Sequence, residues 1–133
     1  QVVLGAFVSG LDAGKIYQTW PMMGANYIPD DFYLENIKSL FDLENHSLVQ
    51  FYHRNMAYLI SIYILALIVF TFKKNDETLY KPSIILLFVL LLQISLGIFT
   101  LLSNLNIILA VLHQVLSVIL VLSALNLYYS IMK

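Results

Sequence analysis

Apolar residues fall along this chain in three long, nearly unbroken runs, at about 49–72, 82–102 and 107–130. Each is near the roughly 20 residues that a helix needs to cross a bilayer core roughly 30 Å thick. A fourth stretch, "QVVLGAFVSGL" at residues 1–11, opens the chain with no charged leader or cleavage pattern. At about 1.5 Å per residue it reaches about half-way across such a core, so residue 1 is expected to lie inside a helix whose beginning is missing. The pattern predicts an all-α, integral-membrane four-helix bundle with its first helix truncated. Between the first two helices lies a polar segment, 12–48, which holds six of the eight acidic residues together with Pro21 and Pro29. The next link is "KKNDETLYKP", whose Pro82 is expected in a helix first turn. The last link, around Ser103 to Asn106, is so tight that the helices it joins must be antiparallel neighbours.

Composition narrows the function. The 133 residues are 60% hydrophobic and only 11% charged, outside the range of soluble domains, so lipid is the first partner. A net charge of −1 without a basic patch excludes nucleic acid as a partner. Cysteine is absent, which removes disulfides, thiolate nucleophiles and iron–sulfur ligation and leaves histidine to hold any metal. Lysines divide unevenly: Lys73, Lys74, Lys81 and Lys133 fall on one side, whereas the longer 12–48 segment carries only Lys15 and Lys38. By the positive-inside rule the Lys73 to Lys81 link faces the cytoplasm or matrix and loop 12–48 faces outside. Within that loop "DDFYLENIKSLF" places Leu34, Ile37, Leu40 and Phe41 at helical spacing, consistent with either a short interfacial helix or an ordered loop.

Two histidines stand inside the apolar runs, where an ionisable residue is expensive and marks a functional candidate. His53 lies in "LVQFYHRNMAYLI" and His113 in "IILAVLHQVLSVILVL". The stub "QVVLGAF" and the third helix's "QISLGIF" match at Gln1/Gln93, Leu4/Leu96, Gly5/Gly97 and Phe7/Phe99, and a histidine-bearing helix follows each. The chain therefore reads as two parallel hairpin repeats, the first with a long outer loop and the second with a tight one. Both histidine helices run from outside inward, His53 four residues and His113 six residues past the starts of their apolar runs. That puts the imidazoles within a few Å in depth, at about 1.5 Å per residue, on helices expected to be diagonal partners. Two imidazoles at one level in hydrocarbon suit the two axial positions of a haem iron, with Ala57, Ala110 and Ser117 leaving room for a flat ring. Zinc fits poorly, since the three long runs offer no carboxylate to complete its shell. Arg54 is a candidate partner for a haem propionate or else a surface anchor. His46 reads as a solvated loop residue, and Tyr52, Tyr80, Tyr128 and Tyr129 as interfacial belts; Gln114 either orients its neighbouring imidazole or faces another helix.

These residues resemble a known family. "LGAFVSGLDAGKIYQTWPMMGANYIPDD", followed by "ENHSLVQFYHR" and later by "LHQ" at 112–114, is similar to the second half of haem A synthase, the membrane enzyme that converts haem O to haem A for haem-copper oxidases. The resemblance implies two homologous four-helix halves, each with a histidine pair. By motif, His53 and His113 would ligate a b-type cofactor haem, while haem O, the substrate, would belong to the absent N-terminal half. It further implies a bacterial inner membrane or mitochondrial inner membrane, and as partners that N-terminal half and an electron donor; homo-oligomerisation stays open. Two departures stand out. Tyr52 occupies a position commonly acidic in relatives, and the cysteine pairs of some bacterial members are missing, as in the branch typical of proteobacteria and mitochondria. An iron with both axial positions filled has no open site for oxygen, which argues for electron transfer in this half, and the stretch alone is expected not to make haem A. The competing readings are a non-enzymatic b-type cytochrome subunit and a haem-free structural or transport bundle.

Overall fold

A computed structural model describes residues 1–31 and 37–133. Among them the chain forms four α-helices and no strand: α1 Val2–Gly10, α2 His46–Lys73, α3 Glu77–Leu102 and α4 Ile107–Met132. The last three are long and apolar enough to cross a membrane. Their outward surfaces are rich in bare aliphatic and aromatic side chains, among them Leu59, Ile62, Phe88, Val118 and Leu122, as expected where lipid is the solvent. The protein is a multi-pass, all-α membrane protein.

Two helices begin earlier than their apolar runs. α2 starts at His46 because Asn45 caps it, its Oδ1 accepting the Leu48 amide at 3.0 Å. His46 is thus an exposed residue of the first helical turn rather than of the loop. α3 starts at Glu77 because the Asp76 carboxylate accepts the Thr78 amide at 2.9 Å and its hydroxyl at 2.6 Å. Pro82, expected in the first turn, therefore stands inside the helix, one turn further in. Of the predicted interfacial helix, Leu34 lies outside the described residues, while Ile37–Phe41 form a short 3-10 segment.

The chain divides into two compact units, residues 1–58 with 101–106 and residues 59–100 with 107–133. In the first, the loop after α1 is fastened to the outer part of α2. Gln50 donates to the Tyr17 carbonyl at 2.8 Å, the Tyr27 hydroxyl to Asn55 at 2.6 Å, the Trp20 indole to the Tyr58 hydroxyl at 3.1 Å and the Tyr52 hydroxyl to the Leu40 carbonyl at 2.7 Å. Gln50, Asn55 and Tyr58, with Arg54 described below, lie at three- and four-residue spacings, so one face of α2 carries most of the loop. The loop also holds itself: Thr19 Oγ1 donates to the Met22 carbonyl and accepts the Gly24 amide, both at 2.9 Å, and Met23 and Asn26 bridge at 2.7 Å. Gly24, at φ +75°, is needed there, because the Tyr17 ring packs where a Cβ would stand.

The second unit has an aliphatic core in which Ile64 and Ile68 of α2, Leu86 and Leu90 of α3 and Leu127 of α4 are buried together. Beside it Thr71 and Ser83 form a buried hydroxyl pair at 2.9 Å. Thr71 spends its proton on the Ile68 carbonyl at 2.7 Å, so Ser83 is the donor to Thr71.

Candidate functional site

Each histidine sits in a seat of the same design. In the first unit the Gln1 amide nitrogen donates to the His53 carbonyl at 3.2 Å and stands 3.5 Å from His53 Nε2. In the second the Gln93 amide nitrogen donates to the His113 carbonyl at 3.1 Å and stands 3.5 Å from His113 Nε2. Four residues after each glutamine, on the same helical face, comes a glycine that the ring covers. A Cβ at Gly5 would lie 3.3 Å from His53 Cε1, and one at Gly97 would lie 2.9 Å from His113 Cε1. Of the four matches that suggested a sequence repeat, two, Gln1/Gln93 and Gly5/Gly97, are residues that touch the two imidazoles.

The hairpins agree in a further respect. α1 ends at Gly10 and α3 at Leu102, each nine residues after its glutamine, and two residues later Asp12 and Asn104 both adopt a left-handed conformation, at φ 55° and 54°. Aspartate and asparagine tolerate that region better than most residues. The repeat is thus visible in backbone as well as in residues. His53 lies seven residues beyond the first residue of α2 and His113 six beyond that of α4, so each stands about two turns into its helix.

Both rings are half-buried. An amide NH2 can only donate, so its approach to Nε2 favours the tautomer with the proton on Nδ1. At 3.5 Å that contact is at the outer limit of a hydrogen bond and leaves the Nε2 lone pair little used. His113 Nδ1 is buried without a hydrogen-bond partner among the described residues, as is Gln93 Oε1. Buried polar atoms left in that state call for an explanation; with the proton on Nδ1, Nε2 is the nitrogen that keeps its capacity as a metal ligand, because its one protein contact is slack. No cluster of three or more histidine, cysteine or carboxylate side chains exists among the described residues. A donor set of single imidazoles, each backed by apolar helix, suits a haem iron, whose other four ligands come with the macrocycle.

Arg54 is engaged by the loop. Its guanidinium donates to the carbonyls of Thr19 at 2.9 Å, Met22 at 3.2 Å and Tyr17 at 2.8 Å. Sequence reasoning missed this role, because three main-chain acceptors more than thirty residues away leave no side-chain signature. Tyr52 likewise ties the loop to α2, and Gln114 is exposed. In the same loop the Tyr17 hydroxyl is held above its usual pKa, first by burial and then by the nearby carboxylate of Asp31, to which it donates at 3.2 Å.

A seat-bearing pair of hairpins and a loop of this sequence are matched by a family model, described as cytochrome oxidase assembly protein, over residues 1–125. The chain belongs to the COX15-CtaA family. Among the curated relatives of this family, it is 41% identical over 133 residues to the heme A synthase of Rickettsia bellii (strain OSU 85-389), a match covering all of this chain and 39% of that protein. It is 43% identical to the heme A synthase of Pelagibacter ubique (strain HTCC1062), with 93% of this chain and 36% of that protein covered. For the heme A synthase of Wolbachia pipientis wMel the figures are 42% identity, 90% and 33%. The chain thus spans between a third and two-fifths of the length of these COX15-CtaA relatives. No solved structure matches it.

Proposed function

We propose that this chain is the C-terminal part of a haem A synthase, acting in haem A biosynthesis for cytochrome oxidase assembly, and that His53 and His113 are the two axial ligands of one b-type haem. The observation that carries this reading is the duplicated seat: two hairpins present one imidazole each, in the same register and against the same pair of residues. The slack contact at His113 Nε2, the nitrogen that keeps its lone pair when Nδ1 carries the proton, supports a ligand role over a purely structural one. When bound, a haem with both axial positions filled by protein supplies one-electron transfer. The chain's own residues hold the imidazoles in place through Gln1 and Gln93 and bury the Nδ1 side of each ring. Arg54 serves the loop first, since a haem propionate would have to share it with three carbonyls. In the whole enzyme, haem O would be oxidised in a further half that carries its own histidine pair. The protein would lie in a bacterial or mitochondrial inner membrane, with loop 12–48 outside.

The test is spectroscopic. The full-length protein, purified in detergent, should show a Soret band, and acid extraction should release haem B together with haem O or haem A. His113→Ala and His53→Ala should each convert the six-coordinate spectrum or abolish the haem. A Soret band unchanged by His113→Ala refutes the ligand assignment, whereas haem B alone through every preparation points to an electron-carrying b-type cytochrome.

A further inference from the structure

Gln93 is costly where it stands. A primary amide inside an apolar spanning helix requires partners for both of its ends, yet Gln93 Oε1 is buried with none among the described residues. Its amide nitrogen goes to the His113 carbonyl, which as a mid-helix carbonyl already has an acceptor role within α4. Packing alone would be served better by leucine, which leaves nothing unsatisfied. Gly97 is the second observation: with 2.9 Å between a would-be Cβ and His113 Cε1, no side chain larger than hydrogen fits unless the ring moves. Glutamine and glycine at i and i+4 therefore bracket one imidazole, the amide at its Nε2 side and the bare backbone under its Cε1 edge. The same contacts recur at Gln1, Gly5 and His53, where the glutamine is exposed, with distances that agree within 0.1 Å, 3.2 Å against 3.1 Å and 3.5 Å in both cases.

We infer that each Gln-x-x-x-Gly pair is a positioning device that sets the rotation of its histidine ring: Gln93 and Gly97 for His113, Gln1 and Gly5 for His53. That the rings so oriented are axial ligands rests on the haem reading above. The glutamine pins the main chain at the histidine and stands beside the ring at 3.5 Å from Nε2, too far to take up that lone pair, and the glycine provides the flat surface that the Cε1 edge rests on. Groups that hold a metal ligand from behind fix its orientation, and their loss weakens metal binding by about 10- to 100-fold. Neither residue touches the iron; both act through the imidazole.

Ring orientation has its own signature. The principal g values of a low-spin ferric haem with two imidazole ligands depend on how the two ring planes are set, whether or not the enzyme turns over. Electron paramagnetic resonance of the oxidised full-length protein should therefore shift with Gly97→Ala, where 2.9 Å forces the ring to turn. It should shift less with Gly5→Ala, where 3.3 Å asks for a few tenths of an ångström. Gln93→Leu should broaden the same signal, as the ring loses its fixed rotation, and lower haem affinity about 10- to 100-fold. Spectra of Gly97→Ala and Gln93→Leu that superimpose on wild type at full haem content overturn the inference. Should Gly97→Ala fail to fold, Gly5→Ala and Gln93→Met decide by the same spectrum. A wild-type protein that carries a two-imidazole signal, with variants that leave it unmoved, sinks the seat alone; a wild-type protein with no such signal sinks the haem reading and this inference with it.

Discussion

Replacing Arg54 by leucine should release the loop from the outer end of α2 while leaving the helices in place. The guanidinium makes three hydrogen bonds to the carbonyls of Tyr17, Thr19 and Met22, at 2.8, 2.9 and 3.2 Å. A hydrogen bond from a charged donor contributes about 1.5–3 kcal/mol in a buried setting. Here the side chain is half-buried and the carbonyls can regain water once released, so the three together are worth about 3 kcal/mol rather than their sum. At 1.4 kcal/mol per factor of ten, that raises the local opening equilibrium of the loop about 100-fold. The reporters are two amides bonded inside the loop, Met23 to the Asn26 carbonyl at 2.7 Å and Gly24 to Thr19 Oγ1 at 2.9 Å. Hydrogen exchange of the protein in nanodiscs should show both exchanging about 100-fold faster in Arg54→Leu, with the amides around Leu86 and Leu90 unaffected. Arg54→Lys should fall between, since one ammonium cannot fork to three carbonyls. Unchanged exchange at Met23 and Gly24 in Arg54→Leu would show that the guanidinium does not hold the loop, and the contacts of Gln50, Asn55 and Tyr58 would have to carry it.

Leu127→Ala should cost about 2–4 kcal/mol in a reversible unfolding assay in micelles, because Leu127 is fully enclosed by Ile64, Ile68, Leu86 and Leu90. Leu122→Ala, at a position 59% exposed to lipid, should be close to neutral in the same assay. Thr71→Val should cost about 1–2 kcal/mol by leaving the Ser83 hydroxyl without its acceptor, and adding Ser83→Ala should recover part of the loss; a double variant worse than the single one would refute the pairing. The Asp76 carboxylate, bonded by Thr78, titrates below the usual carboxylate range. Its cap on α3 is therefore fully present above the ordinary aspartate value and is lost as pH falls through the lowered one, so protection of the Thr78 amide, relative to its intrinsic exchange rate, should fall only in that acid window, and Asp76→Ala should remove that pH-dependent step.

The membrane helices were legible because hydropathy reports the lipid-facing length directly. Their starts were not, because a helix begins where its first amides find acceptors, and Asn45 and Asp76 supply these outside the apolar runs. Pro82 misled for the same reason: proline is favoured at the first turn, but the Asp76 cap had already started the helix. The loop resisted reading more thoroughly, since Arg54, Gln50 and Tyr52 all bind main-chain carbonyls, and every residue of the loop offers one.

The repeat shows which parts of a hairpin are constrained by its histidine. Between the two copies the connection changes from the long polar segment to a link of four residues, Ser103 to Asn106, and Arg54 gives way to Gln114. What stays is a short list: glutamine, the leucine and glycine three and four residues on, the phenylalanine six on, the helix end nine residues after the glutamine, the left-handed residue two further, and the histidine. Connection length can vary freely because loop closure entropy grows only slowly with length. The helix end cannot, since the next helix must return at the register that lays an imidazole edge on the bare backbone of Gly5 or Gly97, and at about 1.5 Å per residue a one-residue slip would also turn the glutamine off that face by about 100°. The left-handed aspartate and asparagine stand two residues past each helix end, at the same place in both copies, where the chain turns toward the helix that carries the histidine.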